Sequence, residues 1–308
     1  MLQDYGRLLD LLSDRTSNTN QSTRDRMTPS LVSFVGETGA GKSSLIKLLI
    51  DLETTSEQNH STPVIGPCGS HLPTSEDVHL YLDPGTAQSS RPIMLVDCEG
   101  LEGGEREPSG AKSKRKSRED DERYARLNED FFKAQRLVRE YELQWSVGAG
   151  SKTRGFAVTH LYPRLLYAFS DVIVFVLRNA RYVQTFYSMF FLFFLTADRV
   201  IEQVFEKLVT WAVNAIETSS NQPILPHAII VLNNHEDYAG PGYTSLNTSD
   251  ILQDVSHIIE LNKTFATLAR FWRERGKPIR TLSELLLCYY SSIEVWQECD
   301  HELSVRRY

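Results

Sequence analysis

Several features that mark other classes of protein are scarce in this chain of 308 residues. It contains only four cysteines, which are widely spaced and form no Cys-x-x-Cys pair: Cys68, Cys98, Cys288 and Cys299. Neither a disulfide framework nor a zinc cage is therefore indicated. The histidines also lack the spacing of metal ligands: His160, His227 and His235. We expect reduced thiols and a cytoplasmic location.

Long apolar runs and an excess of positive charge are missing too. The most apolar stretch, residues 189–195, is predicted to be a buried helix, because a membrane-spanning helix needs roughly 20 residues. The first 15 residues carry acids and lack the apolar core of a signal peptide. A net charge of −7 gives no bulk attraction to nucleic acid or anionic lipid. We therefore expect no nucleic-acid partner, and the sequence does not indicate membrane association.

What the chain does contain is a regular alternation of strand-like and helix-like segments, with 41% hydrophobic residues to build a core. Short apolar runs predict strands at 31–36, 78–83, 92–97, 171–177, 227–234 and within 285–295. Helical spacing of apolar residues is found at 1–12, after residue 44, and over 124–145, 183–216 and 249–275. Strands that alternate with helices predict an α/β fold of three layers, in which helices cover both faces of a mainly parallel sheet.

The domain organisation follows from where this alternation begins. Residues 1–30 are predicted to be an N-terminal helix and a polar linker, and residues 31–308 one domain. Within that domain, a charged insert at about 102–123 places five basic residues in 112–118 directly before four acids in 119–122. Its composition favours a solvated loop over a basic docking patch. Three tryptophans in apolar patterns are predicted to be core residues: Trp211, Trp272 and Trp296.

One segment carries a phosphate-binding pattern. Eight consecutive residues match G-x-x-x-x-G-K-[ST], with Ser44 next: Gly36, Glu37, Thr38, Gly39, Ala40, Gly41, Lys42 and Ser43. The glycines let backbone N–H groups converge on phosphate oxygens, and the start of the following helix adds its dipole. Lys42 supplies a cation for the β- and γ-phosphates, and the Ser43 hydroxyl an oxygen for Mg²⁺. A flexible turn with an accidental Lys-Ser is the alternative, but the strand before the loop and the helix after it favour a nucleotide site.

A second motif, Asp97-Cys98-Glu99-Gly100, ends the strand predicted at 92–97. Together the two motifs resemble the P-loop GTPases, whose Asp-x-x-Gly follows the third strand. The resemblance implies the P-loop NTPase fold, with GTP and Mg²⁺ as ligands. It also implies that Asp97 holds Mg²⁺ through a water, that the Gly100 N–H senses the γ-phosphate, and that Glu99 assists through a bridging water. An ordinary strand end and turn is the alternative, which the order of the segments disfavours.

Two further sites are implied by the same resemblance. GTPases place a threonine before the second strand, where it closes over Mg²⁺; Thr74 is our first choice and Thr62 the second, although either could be an ordinary loop hydroxyl. For guanine, the family uses Asn-Lys-x-Asp after a buried strand. This chain keeps an Asn and an acid but not the Lys, and we prefer the pair Asn234 and Asp237 to the register Asn233–Glu236. A plain turn after the strand is the alternative.

The groups that usually position the attacking water are not evident. Leu101 stands where Ras-like GTPases have a Gln, and Thr38 and Gly39 stand where dynamins have a Gln and guanylate-binding proteins an Arg. The Asp-x-Glu-Gly form and the inserts are similar to the guanylate-binding and dynamin-like GTPases, whereas the loop is similar to septins and immunity-associated GTPases. We therefore expect slow hydrolysis of GTP, raised by an activating protein or by self-association. The catalytic residues implied are Lys42, Thr74, Glu99 and Gly100.

Two other functions stay open at this point. The missing Gln or Arg is also compatible with a scaffold that binds the nucleotide and hardly hydrolyses it. The imperfect base-recognition motif is compatible with an ATP-using P-loop enzyme. Phosphate release separates the first alternative from a GTPase, and competition between bases separates the second.

Overall fold

The computed structural model describes the following residues: 2–4, 6–13, 28–54, 61–63, 65, 78–100, 139–141, 153–178, 202, 205–213, 215, 224–233 and 258–297. The chain divides into two compact units, Met1–Tyr162 and Pro163–Tyr308. The single domain expected over 31–308 stays a prediction. The basic insert and the apolar stretch 189–195 lie outside the described residues. Within those residues, no helix is both long and apolar enough to cross a membrane.

The first unit holds the glycine loop between a strand and a helix. Its elements are, in chain order, β1 (Leu2–Asp4), α1 (Arg7–Ser13), β2 (Ser30–Gly36), α2 (Lys42–Glu53), β3 (Val78–Leu82), β4 (Ile93–Cys98), β5 (Arg139–Tyr141), α3 (Arg154–Phe156) and a π-helical turn (Ala157–Leu161). The glycine loop is residues 36–41, which join β2 to α2. Strands β2, β3 and β4 lie where their apolar runs predict them, to within one residue at each end.

The pairing of these strands places the second motif beside the loop. Strand β2 runs parallel to β4, with Phe34 opposite Asp97, and β3 runs antiparallel to β4, with His79 opposite Asp97. The turn between β3 and β4 is fixed by Thr86, whose Oγ1 donates to Asp83 Oδ2 at 2.7 Å and accepts from the Ile93 N–H at 2.9 Å. Asp97 therefore lies near the carboxyl end of β4, beside the end of β2 at which the glycine loop begins.

Two short strands correct the sequence predictions. Residues 1–12 show helical spacing, yet Leu2–Asp4 pairs antiparallel with β5, whose residues lie within the helix predicted over 124–145. Leu2 is opposite Tyr141, and Asp4 is opposite Arg139. The backbone N–H and C=O groups of these segments find partners in each other, and helical spacing alone stabilises a short helix only marginally. The helix that remains, α1, begins at Arg7.

The second unit continues the alternation. Its elements are α4 (Tyr162–Phe169), β6 (Val172–Arg178), α5 (residues 205–213), β7 (His227–Asn233), α6 (Ile258–Leu261), α7 (Lys263–Arg273), α8 (Leu282–Leu286) and β8 (Ser292–Gln297). Strand β7 pairs in parallel with both β6 and β8. Residues 173–177 of β6 are all buried, which explains why this strand is a continuous apolar run. The helical residues of α5 confirm part of the helix predicted over 183–216.

The helix predicted over 249–275 is interrupted at Asn262. This side chain caps α7, because its Oδ1 accepts from the N–H groups of Thr264 at 2.8 Å and Phe265 at 3.1 Å. Its Nδ2 donates to Glu202 at 2.6 Å and Glu206 at 3.1 Å, so the cap is also tied to the helical segment around α5. A buried polar side chain with four bonds therefore fixes where α7 begins.

The six longer strands form one sheet in the order β3-β4-β2-β6-β7-β8. Only β3 is shown antiparallel to its neighbour, and the pairs β2–β4, β6–β7 and β7–β8 are parallel. This confirms the predicted α/β class with a mainly parallel sheet. In open α/β sheets ligands bind at the carboxyl ends of the strands. The glycine loop begins at that end of β2.

Aromatic residues make up much of the second unit's core. Trp211 is buried, and its ring contacts those of Tyr167 and Phe175. Trp296 is 60% exposed and is not a core residue, which corrects the prediction. Successive side chains of β8 point to opposite faces of the sheet, so Val295 is buried whereas its neighbour Trp296 faces outward.

We expect the free energy of unfolding to fall as the pH rises above about 10. Burial raises the pKa of Tyr289 from 10.0 to about 12, and it raises the pKa of Tyr290 well above its ordinary value. The folded protein thus keeps phenol protons that the unfolded chain releases, so this stabilisation is complete below pH 10 and is lost as the pH climbs towards 12. Urea denaturation at several alkaline pH values measures the loss, which should be smaller in Tyr290→Phe; an equal loss in both proteins would contradict this explanation.

Candidate functional site

The glycine loop ends in a backbone conformation that few other residues adopt. Gly41 is left-handed, with φ of 95°, and it stands at the N-cap of α2, where no side chain makes a capping hydrogen bond. Helices usually take a Ser, Thr, Asp or Asn at this position to bond their first N–H groups. A helix that begins instead on a glycine loop offers those N–H groups and its positive dipole end to an anion. Local geometry therefore fits the predicted phosphate site.

Lys42 is folded against this loop. Its Nζ donates to the carbonyl oxygens of Gly36 at 3.2 Å and Glu37 at 2.9 Å, and the residue is only 6% exposed. Burial lowers the pKa of Lys42 from its ordinary value, while the negative charge of Asp97 opposes that shift. An ammonium has three donors, so two bonds to the loop leave one for a phosphate oxygen. A bound anion would also favour the charged form of this buried lysine.

The first residue after Lys42 joins the two motifs. Ser43 Oγ donates to Asp97 Oδ2 at 2.7 Å, which links the start of α2 to the end of β4. Asp97 is 1% exposed. A hydroxyl and a carboxylate at this distance are the hard oxygen donors that Mg²⁺ prefers, and Mg²⁺ usually adds substrate phosphates and water rather than a full protein cage. The residues present therefore fit Mg²⁺, which Ser43 and Asp97 would hold.

The last two residues of the second motif are also at the loop. Glu99 and Gly100 are buried, and Gly100 lies directly against Thr38. A Cβ atom on Gly100 would be 2.5 Å from the Thr38 nitrogen and 2.6 Å from its Cα, both much closer than real Cβ contacts. A glycine is therefore required here by the close approach of two backbones.

Thr38 has an unusual side-chain environment. Its Oγ1 is buried and has no hydrogen-bond partner among the residues that the structure describes. Buried polar atoms are nearly always bonded, so an exception calls for an explanation in terms of strain, chemistry or a ligand. A Cβ atom built on Gly100 would also collide with Thr38 Oγ1, so Gly100 is a close neighbour of this hydroxyl.

Sequence reasoning missed one neighbour of Asp97, namely Tyr81. Burial, together with the negative charge of Asp97, raises the pKa of Tyr81 to about 12. Tyr81 lies two residues from His79, which is opposite Asp97, so both side chains of β3 share a face with that carboxylate. The antiparallel register of β3 and β4 is the signal that could have placed Tyr81 here.

Most of the predicted site is brought together by the fold. The loop residues 36–41, Lys42 and Ser43 meet Asp97, Glu99 and Gly100, and Ser44 follows as an exposed residue of α2. Three predicted residues lie outside the described part of the chain: Thr74, Asn234 and Asp237. Leu101 is outside it as well. Thr62 lies in the short described stretch 61–63, and its role as the alternative to Thr74 stays a prediction.

Comparison with known proteins finds similar solved structures. No protein-family model matches the chain, and no curated protein matches it. Three of the similar solved structures each share 14% sequence identity with this chain. The mammalian SRP receptor gives a TM-score of 0.35 over 87% of this chain and 89% of its own. A dimerization-deficient mutant of Toc33 from Arabidopsis thaliana gives 0.35 over 95% and 79%, and the signal recognition particle receptor SRb-GTP/SRX complex from Chaetomium thermophilum gives 0.33 over 88% and 90%. These superpositions are too loose to assign a function, so the fold assignment depends on the strand order and the glycine loop.

Proposed function

We propose that this protein is a P-loop GTPase that binds GTP with Mg²⁺ and hydrolyses it slowly, as a molecular switch or a large-GTPase domain. The observation that supports this best is the hydrogen bond from Ser43 to Asp97, 2.7 Å long, beside the buried ammonium of Lys42. A phosphate-binding loop needs a cation, and a magnesium site needs oxygen donors from two motifs. Both requirements are met within one cluster of side chains.

Different groups of the chain have different roles in the proposed phosphoryl transfer. The N–H groups of the loop and the Lys42 ammonium neutralise phosphate oxygens, and this charge compensation supplies most of the catalysis in such reactions. Ser43 and Asp97 would hold Mg²⁺, which would supply positive charge to neutralise the phosphate oxygens. Glu99 is fully buried next to this cluster, and we propose that it orients the attacking water through a second water. Thr74 completes the magnesium site in this proposal.

Guanine recognition is proposed to lie directly after β7. Asn234 and Asp237 follow the last residue of that strand, Asn233, in the order that the family's motif requires. A carboxylate there accepts two guanine N–H groups, and adenine presents no matching pair of donors. The preference for GTP over ATP follows from that difference, with the register Asn233–Glu236 as the alternative.

Slow turnover follows from the residues at the loop. Thr38 and Gly39 provide no amide or guanidinium group to the terminal phosphate, and Leu101 follows Gly100. We therefore propose that an activating protein, or a second copy of this chain, supplies the missing group in the cytoplasm. The same residues favour the second candidate function, a GTP-binding scaffold with little hydrolysis.

Multiple-turnover phosphate release from GTP tests this proposal. With Mg²⁺ and dilute protein we expect a rate constant on the order of 10⁻³ s⁻¹ or less, as in GTPases that lack an arginine finger. The rate should vanish with EDTA and should rise with protein concentration if self-association activates the protein. Rapid turnover by the dilute monomer would contradict the proposed mechanism, and binding without any release would favour the scaffold.

A further inference from the structure

We propose that the Thr38 side chain is the group that distinguishes GTP from GDP in this protein, by donating a hydrogen bond to a γ-phosphate oxygen. This assignment rests on the proposed function and adds a specificity residue to it. As a residue of the glycine loop, Thr38 is so far proposed to contribute only its backbone N–H to phosphate binding. The new role belongs to its hydroxyl.

Within the described part of the chain, the Thr38 hydroxyl lacks a hydrogen-bond partner that comparable hydroxyls have. Thr38 Oγ1 is buried and unpartnered among the described residues, whereas Thr86 Oγ1, in the turn between β3 and β4, both donates and accepts. A buried hydroxyl that only filled space would be replaced without loss by a methyl group of the same shape. A buried hydroxyl without a partner among the described residues is best explained by a partner on a ligand.

The Thr38 hydroxyl also lies close to the segment that contains Asp97, one of the two proposed magnesium donors. Asp97 bonds to Ser43 at one end of the second motif, and Gly100 lies against Thr38 at the other. Mg²⁺ held by Ser43 and Asp97 would neutralise charge on the phosphate groups of a bound nucleotide. The segment from Asp97 to Gly100 therefore connects the proposed magnesium donors at one end to Thr38 at the other.

The close contact between Gly100 and Thr38 indicates how a nucleotide could change this site. Gly100 approaches the Thr38 backbone so closely that no side chain fits between them. A γ-phosphate oxygen reaches Thr38 Oγ1 only when Gly100 withdraws from the loop. The terminal phosphate would then separate the two residues and accept a hydrogen bond from the Thr38 hydroxyl, while GDP would leave the Thr38–Gly100 contact closed.

The test compares Thr38→Val, which keeps the β-branched shape and removes the hydroxyl, with Thr38→Ser, which keeps the hydroxyl. The affinities for GDP and for a non-hydrolysable GTP analogue are measured by calorimetry with Mg²⁺, and stability by urea denaturation without nucleotide. For Thr38→Val we expect unchanged stability, unchanged GDP affinity and an affinity for the analogue about tenfold weaker, since hydrogen bonds to charged groups are among the stronger ones. Thr38→Ser should retain the wild-type ratio of the two affinities.

The control variant is Thr86→Val, which removes a hydroxyl with two hydrogen bonds far along the chain from the loop. It should lose stability and keep the wild-type ratio, the opposite of Thr38→Val. A wild-type ratio in Thr38→Val, or an equal loss for both nucleotides, would overturn the assignment and leave the proposed function in place. A wild-type protein that binds neither nucleotide would overturn the proposed function and this assignment with it.

Discussion

Replacing Lys42 by alanine is expected to weaken GTP binding by roughly 100-fold or more while leaving the protein folded. The Lys42 ammonium is buried against the carbonyls of Gly36 and Glu37, and burial lowers its pKa. A cation held in this way is destabilised until an anion arrives, so its charge contributes more to ligand binding than to folding. Calorimetric titration of the nucleotide-free variant with GTP and Mg²⁺ measures the loss.

Lys47→Ala provides the matched control, because Lys47 lies on the same helix and forms an exposed ion pair with Asp51 at 2.8 Å. Exposed pairs of this kind contribute little to stability. The control should bind GTP as the wild type does. Equal losses in the two variants would show that general charge on α2, rather than the buried ammonium, attracts the nucleotide. Full affinity in Lys42→Ala would remove the main support for a phosphate site.

Gly100→Ala is expected to have the second largest effect, lowering both stability and turnover. The added methyl group would lie 2.6 Å from the Thr38 Cα, so the segment after β4 must shift away from the loop. Forcing an extra carbon into such a contact costs roughly 1–3 kcal/mol. Because the shifted segment also carries Glu99 and Asp97, we expect phosphate release to fall by at least about tenfold, since misplaced catalytic groups lose their orientation.

Gly155→Ala separates this effect from the general consequences of a glycine substitution. A Cβ on Gly155 meets nothing within 4 Å, and this residue lies in the helical segment α3. The control should therefore be as stable as the wild type, or more stable by up to about 1 kcal/mol. Urea denaturation and phosphate release on both variants make the comparison. Wild-type stability and turnover in Gly100→Ala would show that the close contact with Thr38 is absent in solution.

The sequence predicted the central strands and the glycine loop that joins β2 to α2 for physical reasons that act locally. β-branched and apolar runs are buried on both faces of a parallel sheet, so β2, β6 and β7 are visible as continuous hydrophobic segments. The glycines before Lys42 let the backbone turn sharply between the strand and the helix. The same reasoning failed for β1 and β5, because each has three residues and depends on a partner far away in the chain. Trp296 was misplaced because alternation on a strand, not hydrophobicity, decides which side chains are buried.

The contacts that define the candidate site depend on the register of strands, which short sequence motifs do not contain. Phe34 is opposite Asp97 in the parallel pair, so the glycine loop and the residues after Asp97 leave the sheet at the same level. That register brings Gly100 to Thr38 and Tyr81 towards Asp97. The role of the Thr38 hydroxyl could be inferred only after this contact was seen. The assignments of Thr74, Asn234 and Asp237 remain predictions from the resemblance.

Competition between GTP and ATP tests whether this protein has a nucleotide site that recognises guanine. Nucleotide-free protein is saturated with a fluorescent GTP analogue and Mg²⁺, and unlabelled GTP or ATP is then added at matched concentrations. We expect that GTP displaces the analogue and ATP does not, and that Lys42→Ala binds neither. Equal displacement by ATP would contradict guanine recognition and indicate an ATP-using enzyme, and a wild-type protein that never binds the analogue would contradict the nucleotide site altogether.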